Sequence, residues 1–150
     1  SYTPITVNGS NLEITGNWSG QTFLIGYLYE MEVEFPKFYV TQQSGERFIS
    51  DVQSNLVIHR VKFNFGPLGA YDTKVKRVGK TDYDETHEST FADQYSANKL
   101  AIDTEQEVTV PIYERNINHT LILKSNKPTP ATLYSLAWEG DYSNAFYKRV

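Results

Sequence analysis

Short runs of alternating apolar and polar residues recur along this chain at intervals of about ten residues, with turn-forming residues between them. Successive side chains of a β-strand point to opposite faces, so strict alternation indicates a strand with one buried face. Val, Ile, Thr and the three aromatic types account for 55 of the 150 residues, whereas Ala, Leu and Met account for 18. Periodicity and composition therefore both favour strands over helices.

About nine strand candidates predict an all-β chain folded as an antiparallel β-sandwich, in a jelly-roll-like or barrel-like arrangement. No helical segments alternate with them, which argues against a parallel α/β sheet. We expect a single β domain over residues 1–150, and because the chain begins without Met, we expect it to be a piece of a longer protein. The candidates are 2–7, 12–15, 22–35, 37–41, 55–65, 70–78, 107–113, 120–125 and 131–138.

Two of these candidates predict where the core lies. The long candidate 22–35 is apolar at its odd positions, and its even positions change to Glu near the end, so we expect a strand that runs from a buried to a wet region. In the candidate 55–65, Val57, His59, Val61, Phe63 and Phe65 share one face, and His59 is the one polar residue among these five. That pattern predicts His59 on the core face or at an edge, with a satisfied hydrogen bond. Residues 66–69 predict a tight connection to the next strand.

Residues 79–98 show no clear period and predict one long acidic loop, with a short helical turn around 90–98. Asp82, Asp84 and Glu85 could offer oxygen ligands to Ca²⁺, but the spacing of an EF-hand is absent, and a solvated acidic loop is favoured. The nearby basic residues, which begin with Lys74 and Lys76, favour a salt-bridging surface over a nucleic-acid groove.

The chemistry that the chain can perform is narrowed by its composition. It has no Cys, which removes disulfides, thiol nucleophiles and cysteine metal sites. None of its three histidines lies in a known catalytic motif, and no glycine-rich phosphate loop is present, so we assign no catalytic, metal or cofactor residue and expect no enzyme.

No apolar run is long enough for a membrane helix, and no signal peptide opens the chain. The net charge of −4 argues against nucleic acid as a main partner.

Aromatic residues support an alternative function. Trp18, Trp138 and Tyr142, with Tyr147, could stack on sugars in a carbohydrate-binding sandwich that recognises host glycans. For Trp138 a core position is favoured, and we expect Trp138→Ala to cost about 3–5 kcal/mol. Gly140 is expected to let the chain turn after that strand. A glycoside-active enzyme would need two carboxylates in a cleft, and nothing in the sequence selects a pair.

Two stretches resemble the tail nozzle proteins of short-tailed, T7-like bacteriophages, the family also called tail tubular protein B. The first runs from Phe23-Leu24-Ile25-Gly26-Tyr27 through Glu34-Phe35-Pro36-Lys37-Phe38 to Thr41-Gln42-Gln43, and is similar to the family's "IGF…EFSKF…KQ" strand. The second is Leu121-Ile122-Leu123-Lys124-Ser125, Pro128-Thr129-Pro130 and Ala137-Trp138-Glu139-Gly140-Asp141-Tyr142, close to the family's "WEGNY" ending. The order and spacing match over most of the chain.

The departures are Pro36 in place of Ser, the acidic loop 81–98, and the tail after Tyr142. The resemblance is to the C-terminal region of that family and implies a non-enzymatic virion structural protein of the phage tail. Family nozzles are homo-hexamers that close the distal end of the tail, retain the DNA, contribute to fibre attachment and form part of the ejection channel. The resemblance therefore implies that the partners are other copies of the parent protein and neighbouring tail and fibre proteins. It also implies that DNA is met only in transit and that the protein does not insert into a membrane. Mild negative charge would suit a channel wall if the acidic residues face the lumen.

Overall fold

The computed structural model describes residues 5–22, 25–27, 29–52, 54–88, 102–127 and 129–143. These residues form eleven strands and a single 3₁₀ turn at Asn116–Asn118. The strands are β1 (Thr6–Asn8), β2 (Asn11–Glu13), β3 (Met31–Glu34), β4 (Thr41–Ser44), β5 (Arg47–Ser50), β6 (Asn55–Leu68), β7 (Ala70–Arg77), β8 (Tyr83–Glu88), β9 (Gln106–Arg115), β10 (His119–Ser125) and β11 (Ala131–Ser143).

Two antiparallel sheets enclose the core and confirm the all-β sandwich. One has the order β3-β10-β7-β8 and the other β11-β6-β9, while β1-β2 and β4-β5 are separate hairpins. Inward side chains of β6 and β9 meet those of β7 and β10 in one apolar cluster. The rings of Phe65 and Tyr71 lie 4.5 Å apart between centroids and join the two sheets. The described strands are not closed into a barrel.

Strand β6 contains an irregularity that reverses the expected face of His59. On β11, Gly140 pairs with Ile58 and Glu139 with Arg60, so His59 has no residue opposite it. An extra residue of this kind is a β-bulge, and it shifts the pleat by one position. Leu56 and Ile58 before the bulge, and Val61, Phe63 and Phe65 after it, are therefore all buried. The prediction that His59 shares the core face was wrong.

The neighbouring strand β9 is irregular at the same level. Pro111 pairs with Arg60 and Glu114 with Ile58, which leaves Ile112 and Tyr113 opposite the single residue His59. Tyr113 has a φ of 47°, a left-handed conformation that is uncommon outside glycine. Pro111 is tolerated because β9 is an edge strand, where a missing N–H need not be part of a ladder.

Gly140 lies inside β11, not at the turn that the sequence suggested. A Cβ at this position would lie 2.2 Å from the carbonyl oxygen of Val57 and 3.2 Å from the Cα of Ile58. Glycine is required here because the backbones of β6 and β11 approach closely at the bulge. Strand β11 continues past the predicted end at 138 to Ser143.

The prediction of one long strand over 22–35 is wrong for most of the residues that the structure describes in that range. Only Met31–Glu34 is a strand, and it pairs with β10, whose last residue Ser125 lies opposite Met31. The described residues between positions 22 and 30 pair with no strand, so alternation alone does not order them into a sheet. The side chains of Ile25, Tyr27 and Tyr29, predicted to be buried, are exposed.

Two further boundaries differ from the sequence prediction. Residues 37–40 are irregular, and β4 and β5 form a hairpin around Gly45, which has a φ of 64°. The turn between β4 and β5 is two residues long, Gly45 and Glu46. Part of the predicted loop 79–98 is strand β8, which pairs with β7. The helical turn expected at 90–98 lies outside the described residues.

Candidate functional site

The outward face of the four-stranded sheet carries a connected set of charged side chains. Lys124 on β10 lies opposite Glu32 on β3, with its Nζ 2.6 Å from Oε2 of Glu32 and 3.8 Å from Oε1 of Glu30. On β7, Lys74 Nζ lies 3.2 Å from a carboxylate oxygen of Asp82 and 3.2 Å from one of Asp84. Each of these lysines is therefore shared by two carboxylates.

The charges on this face perturb one another in the expected directions. The hydrogen bond from Lys124 holds the pKa of Glu32 below its usual range, and the same bond raises the pKa of Lys124. The pKa of Lys74 is raised, first by its hydrogen bond to Asp84 and then by that to Asp82. Glu32, Lys124 and Lys74 are thus held in their charged forms near neutral pH.

Acidic groups outnumber basic groups on this face. Opposite pairs in an antiparallel sheet share a face, which adds Glu34, Asp72 and Lys76 to the set. Lys37 lies at its margin, where its Nζ donates to the carbonyl oxygen of His119 and to Oγ1 of Thr120 at 3.2 Å. The carboxylates are those of Glu30, Glu32, Glu34, Asp72, Asp82 and Asp84, against the lysines Lys37, Lys74, Lys76 and Lys124.

Lys74 thus joins the basic cluster to the acidic segment through ion pairs, as expected for a salt-bridging surface. Asp82 and Asp84 contact Lys74, and Glu85 accepts a hydrogen bond from the Tyr83 hydroxyl at 2.7 Å, so these three carboxylates do not converge as Ca²⁺ ligands. Within the described part of the chain, no group of three or more His, Asp or Glu side chains is arranged to hold a metal ion.

The aromatic residues proposed for sugar stacking lie in three different environments. Trp18 is half-buried within its own turn, where its Nε1 donates to the carbonyl oxygen of Thr15 at 3.1 Å. Trp138 is half-buried against the core, with its ring 6.2 Å from that of Phe38. Tyr142 is 38% exposed and donates its hydroxyl to Asp51 Oδ2 at 2.8 Å. The three side chains thus contact different partners, and Tyr147 lies outside the described residues.

His59 and His119 lie in different environments, one on the outer face and one buried, and the sequence pattern did not separate them. His59 Nε2 lies 3.1 Å from Asp141 Oδ2, and its ring stacks on Tyr113 at 5.7 Å, so its polar atom is satisfied on the outer face. His119 is buried, and its Nδ1 lies 3.0 Å from the carbonyl oxygen of Arg115, which it can approach only as a donor. Burial lowers the pKa of His119, and nearby Lys37 lowers it further. A neutral imidazole is therefore the stable form.

A small polar pocket opens at one end of the sandwich, between the segment that follows β5 and the 3₁₀ turn. It has a volume of about 90 Å³ and is lined in part by Tyr39, Asp51, Ser54, Arg115 and Asn116. Asp51 is positioned by an Asp-x-x-Ser turn, in which its Oδ1 accepts from the Ser54 N–H at 3.1 Å. This Asp-x-x-Ser turn is a local sequence signal for the pocket, which hydrophobic periodicity does not reveal.

No helix within the described ranges is both long and apolar enough to cross a membrane.

Comparison with known proteins assigns this charged β-sandwich to a class. A family model described as bacteriophage nozzle protein matches residues 2–149, and the chain belongs to that family. It is therefore a protein of the phage tail, located in the virion, and the resemblance seen in the sequence is confirmed.

A curated relative gives a more particular comparison. The tail tubular protein gp12 of Escherichia phage T7 is 25% identical to the chain over 134 residues. The matched region covers 87% of this chain and 17% of the T7 protein, so the chain spans about one sixth of the length of that relative.

Proposed function

We propose that this chain is a non-enzymatic β domain of a longer nozzle protein, and that it contributes to tail assembly and genome ejection. The observation that carries the proposal is the match of the nozzle family over residues 2–149. We further propose that the parent protein assembles as a homo-hexamer and contacts neighbouring tail and fibre proteins, as the resemblance implies. Native mass spectrometry of the parent protein tests this assembly, and a purely monomeric spectrum would contradict it.

The charged face supports a role beside passing DNA. Binding to the DNA backbone depends on Lys and Arg side chains that neutralise phosphates. On this face Lys124 and Lys74 are each held by two carboxylates, and acidic groups are in excess. A surface of this kind repels a polyanion weakly and offers it few free cations. We propose that it faces the channel through which DNA leaves.

Charge reversal in the intact phage tests this placement. Glu30→Lys and Glu34→Lys together would turn the β3 margin basic, and we expect slower DNA release because the phosphates would then be held. Release would be followed by dye fluorescence after triggered ejection from purified particles. The matched control is Glu13→Lys with Glu46→Lys, at exposed positions in β2 and in the β4–β5 turn. Equal release rates in the two variants would reject the channel-facing placement.

A further inference from the structure

The pocket at the end of the sandwich contains a polar group whose bonding is incomplete. Asn116 lines the pocket and is 4% exposed. Its Oδ1 has no hydrogen-bond partner among the described residues. A buried acceptor without a donor is destabilising, and few occur in native proteins. A molecule bound in the pocket that brought a hydrogen-bond donor to this amide would remove that cost.

The other lining groups restrict what that molecule can be. The carboxylate of Asp51 disfavours an anion, while the guanidinium of Arg115 disfavours a metal cation. No cluster of metal-ligating side chains occurs there among the described residues. What remains is a neutral ligand that both donates and accepts hydrogen bonds, which describes adjacent hydroxyl groups.

The walls and the size of the pocket narrow the ligand further. Tyr39 and Leu56 supply apolar surface beside the polar groups, a combination that suits the C–H and O–H faces of a sugar. Tyr142 borders this site through its hydrogen bond to Asp51, and it belongs to the set that the sequence suggested for sugar stacking. A volume of about 90 Å³ admits one edge of a pyranose ring and not a whole disaccharide.

We propose that this pocket binds the hydroxyl-bearing edge of a neutral sugar residue, with Asn116, Asp51 and Arg115 as its hydrogen-bonding groups. Tyr142 is a positioning residue that holds the Asp51 carboxylate in place. The site extends the proposed structural role with glycan recognition, and it does not depend on whether the charged face lines a channel. Because only one edge of the sugar is enclosed, we expect weak binding, with a Kd of roughly 1 mM or above.

Ligand-observed NMR with the 150-residue chain tests the proposal. The probes are glucose, galactose and N-acetylglucosamine, each titrated in saturation-transfer experiments. We expect a saturable signal for at least one sugar, with amide shifts confined to residues 51–56 and 115–117. Absence of a saturable signal for all three sugars, or shifts elsewhere on the chain, would overturn the proposal.

Amino-acid substitutions distinguish loss of the binding site from loss of the folded structure. Asn116→Leu removes the amide at nearly constant volume, and we expect binding to weaken about two- to tenfold. Asn64→Leu makes the same change on β6, away from the pocket, and should leave binding unaltered. Tyr142→Phe provides an independent variant if Asn116→Leu fails to fold, and it should also weaken binding because Asp51 loses a fixed partner. Unchanged affinity in a folded Asn116→Leu variant would reject the assignment.

Discussion

Replacement of Gly140 by alanine tests the close approach of β6 and β11 at the bulge. The added Cβ would lie 2.2 Å from the carbonyl oxygen of Val57, whereas ordinary contacts begin at 3.4 Å. The atom that it meets belongs to the backbone, so no side-chain rotation can relieve the contact. The two strands must separate locally by roughly 1 Å, which disturbs ladder hydrogen bonds beside the pair.

The expected cost follows from three contributions. Overpacking of this kind costs about 1–3 kcal/mol, and weakening two ladder hydrogen bonds adds about 1–3 kcal/mol. The lower chain entropy of unfolded alanine returns about 0.4–1 kcal/mol. We therefore expect Gly140→Ala to lower the free energy of unfolding by about 3 kcal/mol, within a range of about 1–5 kcal/mol. For a chain of this length a loss of about 3 kcal/mol corresponds to a fall in Tm of roughly 6–12 °C.

Two other glycines provide matched controls for this prediction. A Cβ at Gly66 would meet the ring end of Tyr134 at 2.4 Å, but that side chain is exposed and can move, so we expect a loss of about 1 kcal/mol or less. A Cβ at Gly26 meets nothing within 4 Å, and Gly26→Ala should stay within about 0.5 kcal/mol of the parent. Urea unfolding followed by circular dichroism measures all three. If Gly140→Ala and Gly26→Ala unfold at the same urea concentration, the backbone contact is not as described.

Two further predictions concern the free energy of unfolding, one for a change of pH and one for a substitution. Burial lowers the pKa of His119, so the unfolded chain takes up a proton at higher pH than the folded chain, and stability should fall as the pH drops from about 7.5 to 5.5. His119→Gln should flatten that slope in urea unfolding at several pH values, and an unchanged slope would contradict this. Trp138 is half-buried against Phe38, so Trp138→Ala should cost about 2–3 kcal/mol, below the range for a fully buried Trp. An unfolding curve that overlaps the parent's would exclude this packing role.

The alternation of apolar and polar residues predicted the central strands, because burial of the apolar side chains determines which face of each strand meets the core. Tyr71, Thr73 and Val75 are buried as the pattern of β7 requires, while Lys74 and Lys76 face outward. The alternation failed at His59 because a β-bulge moves the side chains that follow it to the opposite face of the strand, while the residue types stay the same. It failed before Met31 because strand formation there depends on a partner, and β10 ends opposite Met31.

The candidate sites were less predictable than the fold. Cross-strand register brings Lys124 to Glu32 across 92 positions of sequence, and only the strand order determines that meeting. The pocket joins Asp51 to Asn116, which belong to segments with unrelated patterns. The family resemblance, in contrast, depended on local order and spacing and needed no tertiary information.

The irregular edge strand β9 has a consequence for association between molecules. A strand laid against its open side would meet a missing N–H at Pro111 and, two residues later, a backbone turned by the positive φ of Tyr113. Exposed edges are otherwise templates on which further chains add. Within the part of the chain that the structure describes, this edge of β9 is therefore a poor template for an added strand, and growth of a fibre through it is disfavoured.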